Sequence, residues 1–182
     1  MGSDKAFLCL GGKTLLARAL ELAASVAPQV AIVGDTAKFA AFGPVVEDVH
    51  GDCGPLGGIH AALASTLSKF NLMLAVDLPF VESQFLQFLL AAASEADAIV
   101  TVPRADKGLQ PLCAVYRPAF AEIAEQSLRM GANKIDALFA KVATRVIDEK
   151  QLLHAGFSPQ MFRNVNTPEE WEKAKQDFRE GR

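Results

Sequence analysis

Residues 72–80 read Leu-Met-Leu-Ala-Val-Asp-Leu-Pro-Phe. The apolar run 72–76 has the length and composition of a strand buried on both faces, and Pro79 stops its extension. Asp77 then falls at the carboxyl end of that strand, the rim of an open α/β sheet where ligands sit. A carboxylate there suits a divalent cation such as Mg²⁺, which takes one or two protein oxygens and completes its shell with phosphates and water. The same position also suits a plain turn or helix cap.

The pattern repeats outward from this stretch. Other strand-like runs are 6–10, 30–33, 45–47, 98–102, 112–116 and 144–147. Between them, Leu15, Leu16, Ala19, Leu20, Ala23 and Val26 share one helical face, and 59–67, 85–93, 120–128 and 135–142 have similar periodicity. Strand alternating with helix predicts a three-layer α/β fold around a mainly parallel sheet with helices on both faces. The break at 104–109 predicts a turn and an antiparallel excursion. A last helix over 169–178 follows Thr167-Pro168-Glu169-Glu170, which offers a cap, a proline at the first helical position and a Glu three residues after the cap. No repeat, linker or low-complexity tract divides the 182 residues, and one domain is expected.

Composition excludes several classes. Charged residues are 21% of the chain and the net charge is −3, so a nucleic-acid partner, which needs a basic face, is not expected. Cys9, Cys53 and Cys113 are far apart and odd in number, which argues for reduced thiols in a cytoplasmic protein. No apolar run is long enough to span a bilayer, and no membrane partner is expected.

Four further stretches bear on chemistry. Gly11-Gly12-Lys13-Thr14 resembles the end of a phosphate-binding P-loop. The pattern GxxxxGK[ST] requires glycine where Phe7 stands, so the stretch reads as a turn into the first helix with Thr14 near its start. Residues 47–59, with Asp48, Asp52, Gly54, Pro55, Gly57 and Gly58, follow a strand and precede a helix. The glycines permit close backbone approach to a ligand and the carboxylates can accept hydrogen bonds from a ribose or base; a simple polar turn is the other reading. Asn164 and Asn166 point the same way if their segment is extended. His50, His60 and His154 lack metal-ligand spacing or a nucleophile partner and read as ordinary residues.

Taken together, these segments resemble the molybdenum cofactor guanylyltransferases, within the Rossmann-like nucleotidyltransferases. That family opens with a strand and LAGGxSxRMGxDKA, and Met1-Gly2-Ser3-Asp4-Lys5-Ala6 matches the end of that loop. The likeness continues at Asp48 with Gly54-Pro55-Leu56-Gly57-Gly58-Ile59, at Val76-Asp77-Leu78-Pro79-Phe80, and at Gln110-Pro111-Leu112-Cys113-Ala114-Val115-Tyr116-Arg117. It closes on Asn164-Val165-Asn166-Thr167-Pro168-Glu169-Glu170.

The resemblance implies transfer of GMP from GTP to molybdenum-molybdopterin with Mg²⁺, releasing pyrophosphate. It implies that Lys5 binds the nucleotide phosphates, that Gly34, Asp48 and Gly54 line the nucleotide, and that Asp77 holds Mg²⁺. It places Asn164 and Asn166 near the metal or the pterin-side substrate. Molybdoenzymes or their chaperones are implied as further partners. A cytidylyltransferase, a sugar-phosphate nucleotidyltransferase and a non-catalytic nucleotide-binding adaptor remain alternatives. The match starts in mid-motif, which sets the expectation that a strand and an LAGG loop precede Met1 in the natural product.

Overall fold

The computed structural model describes residues 5–48, 50, 53–105, 108–165 and 167–179. Near its start, β1 (Cys9–Leu10) and β2 (Lys13–Thr14) pair antiparallel, Cys9 opposite Thr14. Gly11 and Gly12 have φ of 60° and 82°, the two positive values that a tight two-residue hairpin requires. Thr14 caps α1 (Leu15–Ala24), its hydroxyl accepting from the Ala17 N–H at 3.1 Å. The expected strand over 6–10 is thus shorter. Leu8 N–H bonds Lys5 C=O at 3.0 Å and winds Lys5–Phe7 into a 3-10 turn.

β3 (Ile32–Val33) and β4 (Val45–Val46) pair in parallel, with α2 (Thr36–Phe39) between them in sequence. Next comes α3 (Pro55–Ala64), which Gly54 introduces at φ 65° with proline in the first turn. β5 (Asn71–Leu74) leads to α4 (Ser83–Glu95). β6 (Val100–Ala105) and β7 (Gly108–Leu109) form the antiparallel excursion expected around 104–109. β8 (Cys113–Tyr116), α5 (Phe120–Arg129), α6 (Asp136–Phe139), β9 (Thr144–Ile147), α7 (Glu149–His154) and α8 (Pro168–Arg179) complete the order. α6 is shorter than the expected 135–142. No side chain caps it, and the β-branched Val142 and Thr144 already lead into β9.

The larger sheet runs β5–β8–β6–β9, with β7 as a hairpin on β6. β8 is antiparallel to β5 and β6, and β9 is parallel to β6. β5, β6 and β9 therefore point one way and β7 and β8 the other, giving a mixed sheet in which three of five strands share a direction and β6–β9 is the parallel pair. Alternation along β8 assigns the two faces. Cys113 and Val115 pack with Phe85, Leu86 and Leu89 of α4. Ala114 and Tyr116 pack with Leu56 and Ile59 of α3 and Phe120 of α5. Helices on both sides of a sheet are the three layers the sequence predicts.

A third apolar cluster brings the β3–β4 pair against α1 and the segment after β5: Ala6, Leu16 and Ile32, with Leu20, Val45 and Val76 against them. Among the described residues, β3 is bonded only to β4 and β5 only to β8. Beside β5 lies a cavity of about 360 Å³ lined by Leu15, Ala19 and Leu22 of α1 and by Leu74, Val76 and Pro79. No described helix is long and apolar enough to cross a membrane.

Candidate active site

Asp77 lies three residues past the end of β5, in a turn, because the strand stops at Leu74 rather than at the expected Val76. Its burial pushes the carboxyl above its ordinary value, opposed by the Lys5 ammonium nearby and by its own backbone N–H. Lys5 and Asp77 therefore lie within electrostatic reach of each other. The third component comes from the far end of the chain: Val165 N–H donates to the Asp77 C=O at 3.2 Å. This bond brings the segment that carries Asn164 to the Asp77 backbone; Asn166, the other predicted asparagine, lies outside the described residues.

Arg163 fixes that approach. Its guanidinium lies 4.3 Å from the centre of the Phe80 ring and bonds Asp177 of α8 at 2.6 Å. One side chain therefore ties α8 to the segment just after Asp77. α8 itself begins at the expected capping box: Glu170 N–H donates to Thr167 Oγ1 at 3.1 Å, and Thr167 N–H to Glu170 Oε2 at 3.0 Å.

The second group gathers past the carboxyl ends of β3 and β4. Gly34 follows β3, and its N–H bonds Val46 C=O at 3.0 Å. Asp48 lies two residues past β4, and its Oδ1 accepts from the His50 N–H at 2.8 Å, an Asx turn. The carboxylate rests on α3 at Gly57. A Cβ at Gly57 would lie 2.8 Å from Asp48 Oδ1 and 2.9 Å from its Cγ, with Oδ2 closer still. Glycine there opens a notch for the aspartate. Gly54 stands at the head of the same helix with an open backbone. Asp52 lies outside the described residues.

Sequence reading did not identify three contributors: Gly57 as the seat of Asp48, the His50–His60 ring contact, and Arg163. A signal exists for two of them, since Gly57 and His60 are spaced i, i+3 and share one face of α3. For Arg163 no local pattern points to Asp177.

The P-loop alternative is gone on geometric grounds as well. Gly11 and Gly12 form the turn of the β1–β2 hairpin, and Lys13 Nζ contacts both carboxylate oxygens of Glu21 at 2.8 and 2.7 Å. Cys113 is fully buried, and burial pushes its thiol up to about 12, which makes it an inert core residue. Among the described residues no three His, Cys, Asp or Glu side chains converge as a metal cluster.

The pattern of the family described as the MobA-like NTP transferase domain matches residues 1–147. The chain belongs to that family. It is a MobA-like nucleotidyltransferase, and its relatives narrow the comparison. A molybdenum cofactor guanylyltransferase of Desulfosudis oleivorans is 33% identical over 100% of this chain and 90% of its own length. A probable molybdenum cofactor guanylyltransferase of Pelotomaculum thermopropionicum is 32% identical over 96% of this chain and 85% of its own. In three dimensions, the molybdopterin-guanine dinucleotide biosynthesis protein A of Archaeoglobus fulgidus superposes with a TM-score of 0.86. That pair is 25% identical, over 98% of this MobA-like chain and 92% of the other. The 2-C-methyl-D-erythritol 4-phosphate cytidylyltransferase of Thermus thermophilus shares the fold, with a TM-score of 0.71 at 18% identity over 96% and 94% of the two chains.

Proposed function

We propose that this nucleotidyltransferase joins GMP from GTP to molybdenum-molybdopterin, giving the guanine dinucleotide cofactor and pyrophosphate. The observation that carries the reading is the meeting of Asp77, Lys5 and the Asn164–Val165 segment at the carboxyl end of β5. The names of the relatives support the same substrates.

The reaction needs alignment and charge neutralisation rather than a protein nucleophile. A terminal phosphate oxygen of the pterin attacks the α-phosphorus of GTP. The bond from that phosphorus to the β-phosphate bridging oxygen breaks, and its electron pair leaves with pyrophosphate. Lys5 binds the phosphates and offsets the charge that develops on them. Asp77, a partly buried carboxylate whose charged form burial disfavours, is a fitting single protein ligand for Mg²⁺. When bound, Mg²⁺ supplies Lewis-acid neutralisation of the phosphate oxygens. Asn164, with Asn166, contacts the metal shell or the pterin side. Gly34 and Gly54 let the backbone approach the nucleoside.

Asp48 favours guanine over cytosine. A carboxylate only accepts hydrogen bonds, and guanine presents two adjacent donors, N1–H and the exocyclic amine. Cytosine presents one donor beside two acceptors, which a carboxylate repels.

The unpaired edges of β3 and β5 and the cavity between α1 and residues 74–81 support a further structural proposal. A further extended strand pairing between them would complete one domain. Such an extended chain melts at higher temperature than residues 1–182; equal melting overturns the proposal. The separated thiols and the soluble substrates fit a cytoplasmic site of action.

The test of the reaction is product formation from GTP or CTP and molybdenum-molybdopterin, read by mass spectrometry, for the chain with and without such an added strand. The dinucleotide forms from GTP and depends on Asp77. Formation from CTP alone overturns the guanine assignment, and nucleotide binding without turnover in either form supports an adaptor instead.

A further inference from the structure

His60 is a buried titratable side chain with no place in the chemistry above. It stands on α3, 8% exposed, and its Nδ1 is buried without a hydrogen-bond partner. Its ring meets that of His50 edge-on, with centroids 5.0 Å apart and planes at 64°. His50 in turn holds Asp48 through its backbone N–H.

The loop after β4 therefore touches α3 at two points. Asp48 sits in the notch at Gly57, and the His50 ring rests on His60. Gly57 and His60 are one helical turn apart on one face of α3, and Asp48 and His50 are two residues apart in the loop. Two contacts at matched spacing fix both the position of a short loop and its rotation, whereas the notch alone would leave the Asx turn free to pivot about Asp48. The unpartnered Nδ1 shows that this nitrogen does not anchor the loop, which leaves the ring contact to do it.

We infer that His60 is a positioning residue for nucleotide binding: its ring seats His50 and thereby aims the Asp48 carboxylate. The inference rests on the reading of Asp48 as the guanosine contact. An edge-on ring pair contributes modestly beyond its buried area, so losing it raises KM for GTP by about 2- to 12-fold. Because the loop is aimed and not part of the reacting centre, kcat stays unchanged.

The experiment is a double-mutant cycle on the full chain, with KM for GTP and kcat measured for His60→Ala, His50→Ala and the double variant. His60→Phe and Asp48→Ala serve as companions, and melting temperature is followed throughout. The expected result is a raised KM in each single alanine variant, no further rise in the double variant, and wild-type KM in His60→Phe, which keeps a ring and removes the orphaned nitrogen. Additive effects of the two alanine variants overturn the inference, as does a His60→Phe variant as impaired as His60→Ala. If Asp48→Ala itself keeps the wild-type KM, the guanosine reading falls and this inference with it. If Asp48→Ala raises KM while the cycle is additive, only this inference falls.

Discussion

Replacing Gly57 with alanine separates stability from nucleotide binding. Inside a helix, Gly→Ala ordinarily stabilises by about 1 kcal/mol. Here the new Cβ would stand 2.8 Å from Asp48 Oδ1 and 2.9 Å from Cγ, well inside ordinary contact. The obstacle is a short side chain held by the His50 N–H at 2.8 Å, so it cannot swing aside without breaking that bond. Overpacking of this kind costs about 1–3 kcal/mol, and the two effects nearly cancel in the folding balance. Binding has no such compensation. A carboxylate pushed off its seat loses a charge-assisted hydrogen bond, about 1.5–3 kcal/mol. That is roughly a 10- to 150-fold rise in the dissociation constant for GTP. Gly58→Ala is the control: it receives the same helix benefit, its Cβ meets only Val33 Cγ1 at 3.2 Å, and it leaves Asp48 alone. The assay is calorimetric titration with GTP alongside thermal melting of both variants. Wild-type GTP affinity in Gly57→Ala, with the fold intact, would refute the placement of Asp48 in the nucleotide site.

Asp77→Asn should abolish turnover while leaving the metal-free chain as stable as the wild type or more so. Its folded carboxyl titrates above the unfolded value of 3.8, so its contribution to stability is fully present below that value and is lost as pH rises through the folded one. The stability advantage of Asp77→Asn, measured by urea melts, therefore grows with pH across that window. Lys13→Ala should cost under about 1 kcal/mol, the worth of an exposed ion pair, and leave GTP binding intact, whereas Lys5→Ala should weaken it in the same titration. Thr167→Ala removes the capping hydroxyl of α8 and should cost about 1 kcal/mol by chemical denaturation.

What the sequence conveys well is what local chemistry decides. The strand before Asp77, the Gly11-Gly12 turn and the Thr167 capping box each depend on a few neighbouring residues; the turn and the box form as expected, and the strand forms but ends at Leu74, two residues early. The boundaries drift where neighbours decide. The run 6–10 is apolar enough for a strand, but Lys5–Phe7 closes a turn instead, because Ala6 packs with Leu16 and Ile32 from other elements. The direction of β8 is likewise invisible locally: its residues alternate between two cores whichever way it runs. In the site, Asp48 and Asp77 are legible because a polar residue past a buried strand is conspicuous. Gly57 is not, because a helical glycine shows no sign in sequence of what occupies the space its side chain would fill.

The two carboxylates are held relative to each other in an unusual way. Asp77 follows Val76, and Asp48 lies two residues past β4; Val76 and Val45 meet in one apolar cluster with Ile32 and Leu16. Among the described residues no backbone hydrogen bond joins β3 to β5. Apolar contact is non-directional, so it fixes that the two strand ends are near each other but not their register or twist. A hydrogen-bonded ladder would fix both. Phosphoryl transfer needs its groups aligned to within fractions of an ångström, which the cluster alone does not supply. The proposed strand between β3 and β5 would therefore matter more for turnover than for folding. Its addition should raise kcat by a larger factor than it changes the affinity for GTP.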